Sequence, residues 1–177
     1  MVKTNFTPFP TLTTDRLTLR QLSIDDQQSI FALRSDAAIN KYLGRQPSKT
    51  IEDAIGFINM INDNIKKNNS IYWAITLTQT KTFVGTICLF DFLIEKKRCE
   101  IGYELMTKFQ GQGIMKEATK KVIDYAFQVL KFQEIVAFTH NDNQNSTKLL
   151  AKFNFIKSIV ADKENPDFNI FTLSYSN

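Results

Sequence analysis

Alternation between apolar and polar positions organises most of this chain. Arg16-Leu17-Thr18-Leu19-Arg20-Gln21-Leu22 has the period of a half-buried strand. Ser23 can cap the helix that follows, with Asp25 and Asp26 in its first turn, where carboxylates suit the helix dipole. Ile30, Phe31 and Leu33 give that helix an apolar face. Residues 40–49 carry Gly44 and Pro47 and read as a loop. Thr50 with Asp53 three residues on has the form of a capping box, opening a helix through Ile55, Ile58 and Ile65.

From Ile71 the pattern changes to β. Residues 71–77 and 82–90 are rich in β-branched and aromatic side chains and are separated by a short polar turn, which predicts a hairpin. A third strand, 98–105, follows the charged turn Glu95-Lys96-Lys97. Past Gly111 and Gly113 a helix runs to near Leu130, then come a strand at 134–139, a short helix at about 144–152, and strands at 155–160 and 168–174. The first dozen residues, with Pro8 and Pro10, read as an extended lead-in. The order β-α-α-β-β-β-α-β-α-β-β predicts a mixed, mostly antiparallel sheet flanked by helices, of the α/β (α+β) class. At 177 residues one domain is expected.

Composition narrows the function classes. The hydrophobic share of 43% and charged share of 23% are those of a soluble globular protein. The 15 Phe read as core packing rather than a base-stacking surface. A net charge of +4 is spread over singles and pairs such as Lys66-Lys67 and Lys120-Lys121, so it favours an anionic small ligand over nucleic acid. Cys88 and Cys99 are too few for a disulfide framework, and both lie in strands flanking one turn. His140 alone cannot build a histidine-based metal site, so no metal is expected. No apolar run approaches membrane-spanning length and Met1-Val2-Lys3-Thr4-Asn5-Phe6 lacks a signal-peptide core; a cytoplasmic protein with no membrane partner is expected.

Candidate chemistry concentrates between Glu100 and Ala118. A strand passes through a polar loop with Gly111 and Gly113 into a helix. Glycines there let the backbone approach a ligand, and a helix N-terminus offers free N–H groups to a phosphate. The segment is neither a P-loop nor a dinucleotide fingerprint, because Lys-Ser/Thr and a third glycine are absent. A plain tight turn is the alternative.

Lys108-Phe109-Gln110-Gly111-Gln112-Gly113 resembles the pyrophosphate-binding loop of the GNAT superfamily of N-acetyltransferases. Glu100-Ile101-Gly102-Tyr103 with Leu105 before it, and Ile114-Met115 with Glu117-Ala118 after it, are similar to the branch that acetylates ribosomal-protein N-termini, the Rim type. Two distant segments agree: Thr14-Asp15-Arg16-Leu17-Thr18-Leu19-Arg20, and Asn143 with Ser146, Leu149, Lys152 and Phe155. The likeness covers about residues 11–175. Thr107 stands where Pro is common, Gln110 where an aromatic is common, and Asn154 where glycine is usual, although Asn tolerates the left-handed conformation.

The resemblance implies the acyl-CoA N-acyltransferase fold, with acetyl-CoA as cosubstrate. It places Leu105, Met106 and Thr107 beside the pantetheine arm, Gln110, Gly111, Gln112, Gly113 and Ile114 around the pyrophosphate, and Asn143 on the arm's other side. It implies a primary amine as acceptor, a protein N-terminus first, with a polyamine, amino sugar or amino acid as the alternative and a non-catalytic acyl-CoA-binding role behind both. Homodimers are frequent in the family. Glu100 and Glu104 share a strand face; if that face lines the acceptor cleft, Glu100 is the first candidate base and Glu104 the second, the other reading being an exposed strand-face carboxylate paired with Lys or Arg. Ser146 is the candidate acid at the departing thiolate, with a helix cap as its other reading.

Overall fold

The computed structural model describes residues 1–159 and 165–175. One eight-stranded sheet has the order β1-β2-β3-β4-β5-β6-β8-β7. Its strands are β1 (Leu12–Thr13), β2 (Leu17–Gln21), β3 (Ile71–Leu77), β4 (Phe83–Leu93), β5 (Arg98–Leu105), β6 (Glu134–His140), β7 (Ile156–Lys157) and β8 (Phe168–Ser174). The helices are α1 (Gln27–Ser35), α2 (Ala37–Asn40), α3 (Ile51–Lys66), α4 (Ile114–Gln128) and α5 (Gln144–Ala151). All neighbouring strands pair antiparallel except β5 with β6.

Local signals set the element starts. Ser23 and Asp26 form a reciprocal capping box, although the turn it opens is 3-10 (Ile24–Asp26) before α1 begins. Thr50 and Asp53 form the second box at the head of α3. Asn154, the substitute for glycine, takes φ 61°, the left-handed conformation expected of it. Three departures have local causes. The proposed loop at 40–49 loses its first residue to α2, which Asp36 caps through Ala38 and Ile39 N–H. The lead-in ends at Leu12, where β1 begins. The strand expected at 155–160 pairs only at Ile156 and Lys157, and Val160 lies outside the described residues.

Two helix layers cover the sheet, one on each face. On β3, Tyr72 and Trp73 point to opposite faces. Tyr72 meets Phe57 of α3 edge-on at 5.6 Å, and Trp73 meets Tyr125 of α4 at 5.6 Å. Ala54, Ile58, Ile61 and Ile65 form the buried stripe of α3 at three- and four-residue spacing. Trp73 is fully buried, and its indole N–H is satisfied by Pro10 C=O at 2.8 Å. No helix is long and apolar enough to cross a membrane among the described residues.

Candidate active site

β5 and β6 pair over only three positions, Arg98–Glu134, Cys99–Ile135 and Glu100–Val136. Beyond Glu100, β5 stays with β4 as far as Leu105 opposite Gly85, while β6 stays with β8 as far as His140 opposite Phe168. The two strands therefore splay, and a cavity of about 330 Å³ opens between them. Met106 N–H donates to Val84 C=O at 2.9 Å. Backbone polar groups alternate sides along a strand, so those of Leu105 face the gap. The Gln110 side-chain amide reaches back to Leu105 C=O at 3.2 Å.

Below the gap the chain makes a 3-10 turn (Thr107–Phe109), closed by Gln110 N–H donating to Thr107 C=O at 3.1 Å. That bond takes the Gln110 N–H away from the pyrophosphate role expected for it. Thr107 leaves the strand line, and its hydroxyl bonds Asp36 at 3.3 Å. The next amides differ. Gly111 and Gly113 both have φ 75°, and an added Cβ at Gly111 would meet nothing within 4 Å. These glycines answer a backbone demand and leave open space beside the loop. The N–H groups of Gly111, Gln112, Gly113 and Ile114 have no hydrogen-bond acceptor among the described residues. With the start of α4 they form a nest of donors at the positive end of a helix, which fits a pyrophosphate.

The nest is anchored from a distance. Glu117, in the first turn of α4, accepts from Thr14 Oγ1 (2.5 Å), Arg16 N (3.0 Å) and Arg16 Nε (2.7 Å). Arg16 Nη1 donates to Gln112 C=O at 3.2 Å. The bonds from Thr14 and Arg16 hold the Glu117 carboxyl below its usual range against the opposing effect of its own burial. The Thr14–Arg16 and Glu117 segments, which the family resemblance placed far apart in sequence, are thus one structural unit.

On the α3 side of the sheet, Tyr72, Cys88 and Gly102 form one cross-strand row of the cavity floor, with Glu100 and Glu104 on either side of Gly102 on β5. Arg45 takes both oxygens of Glu104, with Nη2 at 2.7 Å from Oε2, and its Nε donates to Asn40 Oδ1 at 2.8 Å. Glu100 has no such partner among the described residues. Burial first, and then the Asp91 carboxylate, push its carboxyl up to about 7, against the pull of Arg98. Cys88 and Cys99 are free thiols, not cross-strand partners, and burial raises both well above the usual range, so neither is an activated nucleophile.

On the other face, Tyr103 projects toward α5, and its hydroxyl lies 2.8 Å from Ser146 Oγ. Burial pushes the Tyr103 phenol up to about 12, so it stays a neutral hydroxyl. Ser146 is not the cap of α5. Asn143 is, accepting from Ser146 N–H at 3.1 Å through Oδ1. His140 stands between the rings of Tyr42 and Phe168, each 5.6 Å away, and its Nδ1 accepts from Asp142 N–H. Tyr42 and Leu43, from the segment after α2, complete the cavity wall. Sequence reasoning missed Tyr103, Arg45 and Tyr42. The period of β5 was enough to set Tyr103 opposite Glu100; the other two lie in the 40–49 loop, which the sequence suggests as part of the acceptor wall without singling out either residue.

Among the described residues no group of three His, Cys, Asp or Glu could hold a metal ion. The splayed strands with the cavity between them, and the amide nest at the head of α4, are the geometry an acyl-CoA-dependent transferase needs. Residues 16–156 match the model of the family described as acetyltransferase (GNAT) domain, and the chain belongs to that family. The uncharacterized N-acetyltransferase YoaA of Bacillus subtilis (strain 168) is 36% identical over 152 residues, 86% of each chain. The [Ribosomal protein uS5]-alanine N-acetyltransferase of Escherichia coli (strain K12) is 28% identical over 102 residues, 56% of this chain and 52% of that one. The structure of Vibrio cholerae spermidine N-acetyltransferase in complex with CoA and spermine aligns with a TM-score of 0.79 at 19% identity, over 91% of this chain and 96% of that one. The protein is an acetyl-CoA-dependent N-acetyltransferase.

Proposed function

We propose that this enzyme acetylates the α-amine of a protein N-terminus by direct attack in a ternary complex. The observation that carries this reading is the charge pattern of the cavity: one unpaired carboxylate, Glu100, among aromatic walls, with Glu104 already neutralised by Arg45. That pattern suits a single amine on a body without further positive charge. The Escherichia coli relative, whose name gives a ribosomal-protein alanine as its acceptor, lends support.

Acetyl-CoA supplies the activated acyl group. The amides of Gly111, Gln112, Gly113 and Ile114 hold its pyrophosphate, and the Leu105 edge with Met106 and Asn143 Nδ2 holds the arm in the splay. Thr107, turned toward Asp36, borders the arm only with its backbone. The gap-facing Leu105 N–H polarises the carbonyl, a contact worth about 3–4 kcal/mol in a preorganised site. Positioning of both substrates supplies up to about 7–11 kcal/mol. Glu100, titrating near neutrality, takes a proton from the arriving ammonium. As the C–N bond forms and the C–S bond breaks, Ser146, its hydroxyl oriented by Tyr103, donates to the departing sulfur, and the second proton lost by the nitrogen restores that hydroxyl.

The roof made by Tyr42 and Leu43 favours a second reading, a small uncharged monoamine that fits beneath it. Thiol release from acetyl-CoA, measured in parallel on N-terminal peptides and small amines, separates the two. Faster turnover of peptides supports the first reading. Turnover of small amines alone refutes it.

A further inference from the structure

The acceptor side of the cavity carries two carboxylates but offers only one. Glu100 and Glu104 flank Gly102 on the same face of β5, and the floor between them is closed. An added Cβ at Gly102 would lie 3.2 Å from Cys88 Sγ and 3.3 Å from a Phe90 ring carbon. A diamine or polyamine entering here would place one nitrogen at Glu100 and seek a second carboxylate, and Glu104 is the one on that face.

Glu104 is held by an arginine that is itself held. Arg45 binds both its oxygens and anchors Nε on Asn40 Oδ1, and Asn40 Nδ2 donates to Arg34 C=O (2.9 Å) and Asp36 C=O (2.8 Å). The side chains of Arg45 and Glu104 are only 20% and 14% exposed, so the pair is shielded from the solvent that weakens surface ion pairs. A second guanidinium stands close by: Arg34 stacks over the Phe57 ring at 3.8 Å and feels the charges of both Arg45 and Glu104. Two guanidinium groups thus stand beside the single Glu104 carboxylate.

We propose that Arg45 is a specificity-determining residue that excludes polycationic amines by occupying Glu104. The acceptor it admits carries one amine on an uncharged or anionic body. This rests on the reading of the Glu100 cavity as the acceptor site, and it holds for a peptide N-terminus and for a small monoamine alike.

The test compares wild type, Arg45→Gln, Arg45→Lys and Arg45→Gln with Glu104→Gln, all full-length, on spermidine and on the neutral peptide Ser-Ala-Ala amide. In Arg45→Gln, kcat/KM on spermidine rises at least about tenfold, the weak end of one charge-assisted hydrogen bond. Adding Glu104→Gln abolishes the rise, and Arg45→Lys shows little of it. No rise in a folded Arg45→Gln, or a rise that survives loss of Glu104, overturns the proposal. Calorimetry on the wild-type CoA complex gives a readout independent of any variant's folding: no spermidine binding is expected, and saturable binding overturns the proposal. If wild type turns over a small neutral monoamine but no peptide, the N-terminal reading falls while this one stands. If spermidine is its best substrate, both fall.

Discussion

Replacing Glu100 with Gln tests the electrostatics of the site in two independent ways. Its carboxyl is moved from an ordinary 4.5 to about 7, chiefly by burial. Below pH 4.5 the group is protonated in both folded and unfolded states. Between 4.5 and 7 the unfolded chain ionises it while the folded protein resists. The folded protein therefore loses stability as pH rises, and the loss is complete above 7. A shift of this size corresponds to about 3 kcal/mol at roughly 1.4 kcal/mol per pH unit, and the solvent that reaches part of the side chain reduces it to about 1.5–2 kcal/mol. Urea unfolding at pH 5 and pH 8 measures the consequence. Glu100→Gln, which cannot ionise, gains on wild type by about 1 kcal/mol more at pH 8 than at pH 5, with an unchanged m value. The same variant loses about 10²–10³ in kcat, keeps its KM for acetyl-CoA, and loses the acid limb of the wild-type pH–rate profile near pH 7. A stability difference that stays constant with pH refutes the burial argument, and an unaltered pH–rate profile removes Glu100 from the mechanism.

Gly113→Ala forces a side chain to φ 75°, while its nearest new contact, Arg16 Nη2 at 3.6 Å, is an ordinary one. The cost is backbone strain of about 1–2 kcal/mol, read as a drop in Tm of a few degrees together with a raised KM for acetyl-CoA. Tyr103→Phe lowers kcat with KM for acetyl-CoA unchanged, and in Ser146→Ala the further loss of the Tyr103 hydroxyl costs little. A double-mutant cycle checks this, and additive losses would show that the two hydroxyls act separately.

Much of the sheet was legible because β3 and β4 are long and rich in β-branched and aromatic residues, and β3, β4 and β5 are joined by polar turns. The helix starts were legible because Ser23–Asp26 and Thr50–Asp53 are three-residue signals. Elements of two or four residues, β1 and α2, carry too little periodicity to be read. At the site, the shared face of Glu100, Gly102 and Glu104 followed from the strand period alone. What sequence could not supply is contact across the fold. Arg45 meets Glu104 over 59 residues, Arg16 meets Glu117 over 101, and Tyr103 meets Ser146 over 43. Each depends on how the sheet brings separate elements together, and the first of them pairs Glu104 while Glu100 keeps no such partner among the described residues.

Mass spectrometry of an equimolar pair of peptides, one beginning with a free Ser and lacking Lys, the other N-terminally blocked with one internal Lys, incubated together with the enzyme and acetyl-CoA, tests the central claim most directly. The account predicts acetylation at the α-amine of the first peptide. Acetyl found only on the lysine side chain, or no transfer to peptide while spermidine is consumed, would contradict it.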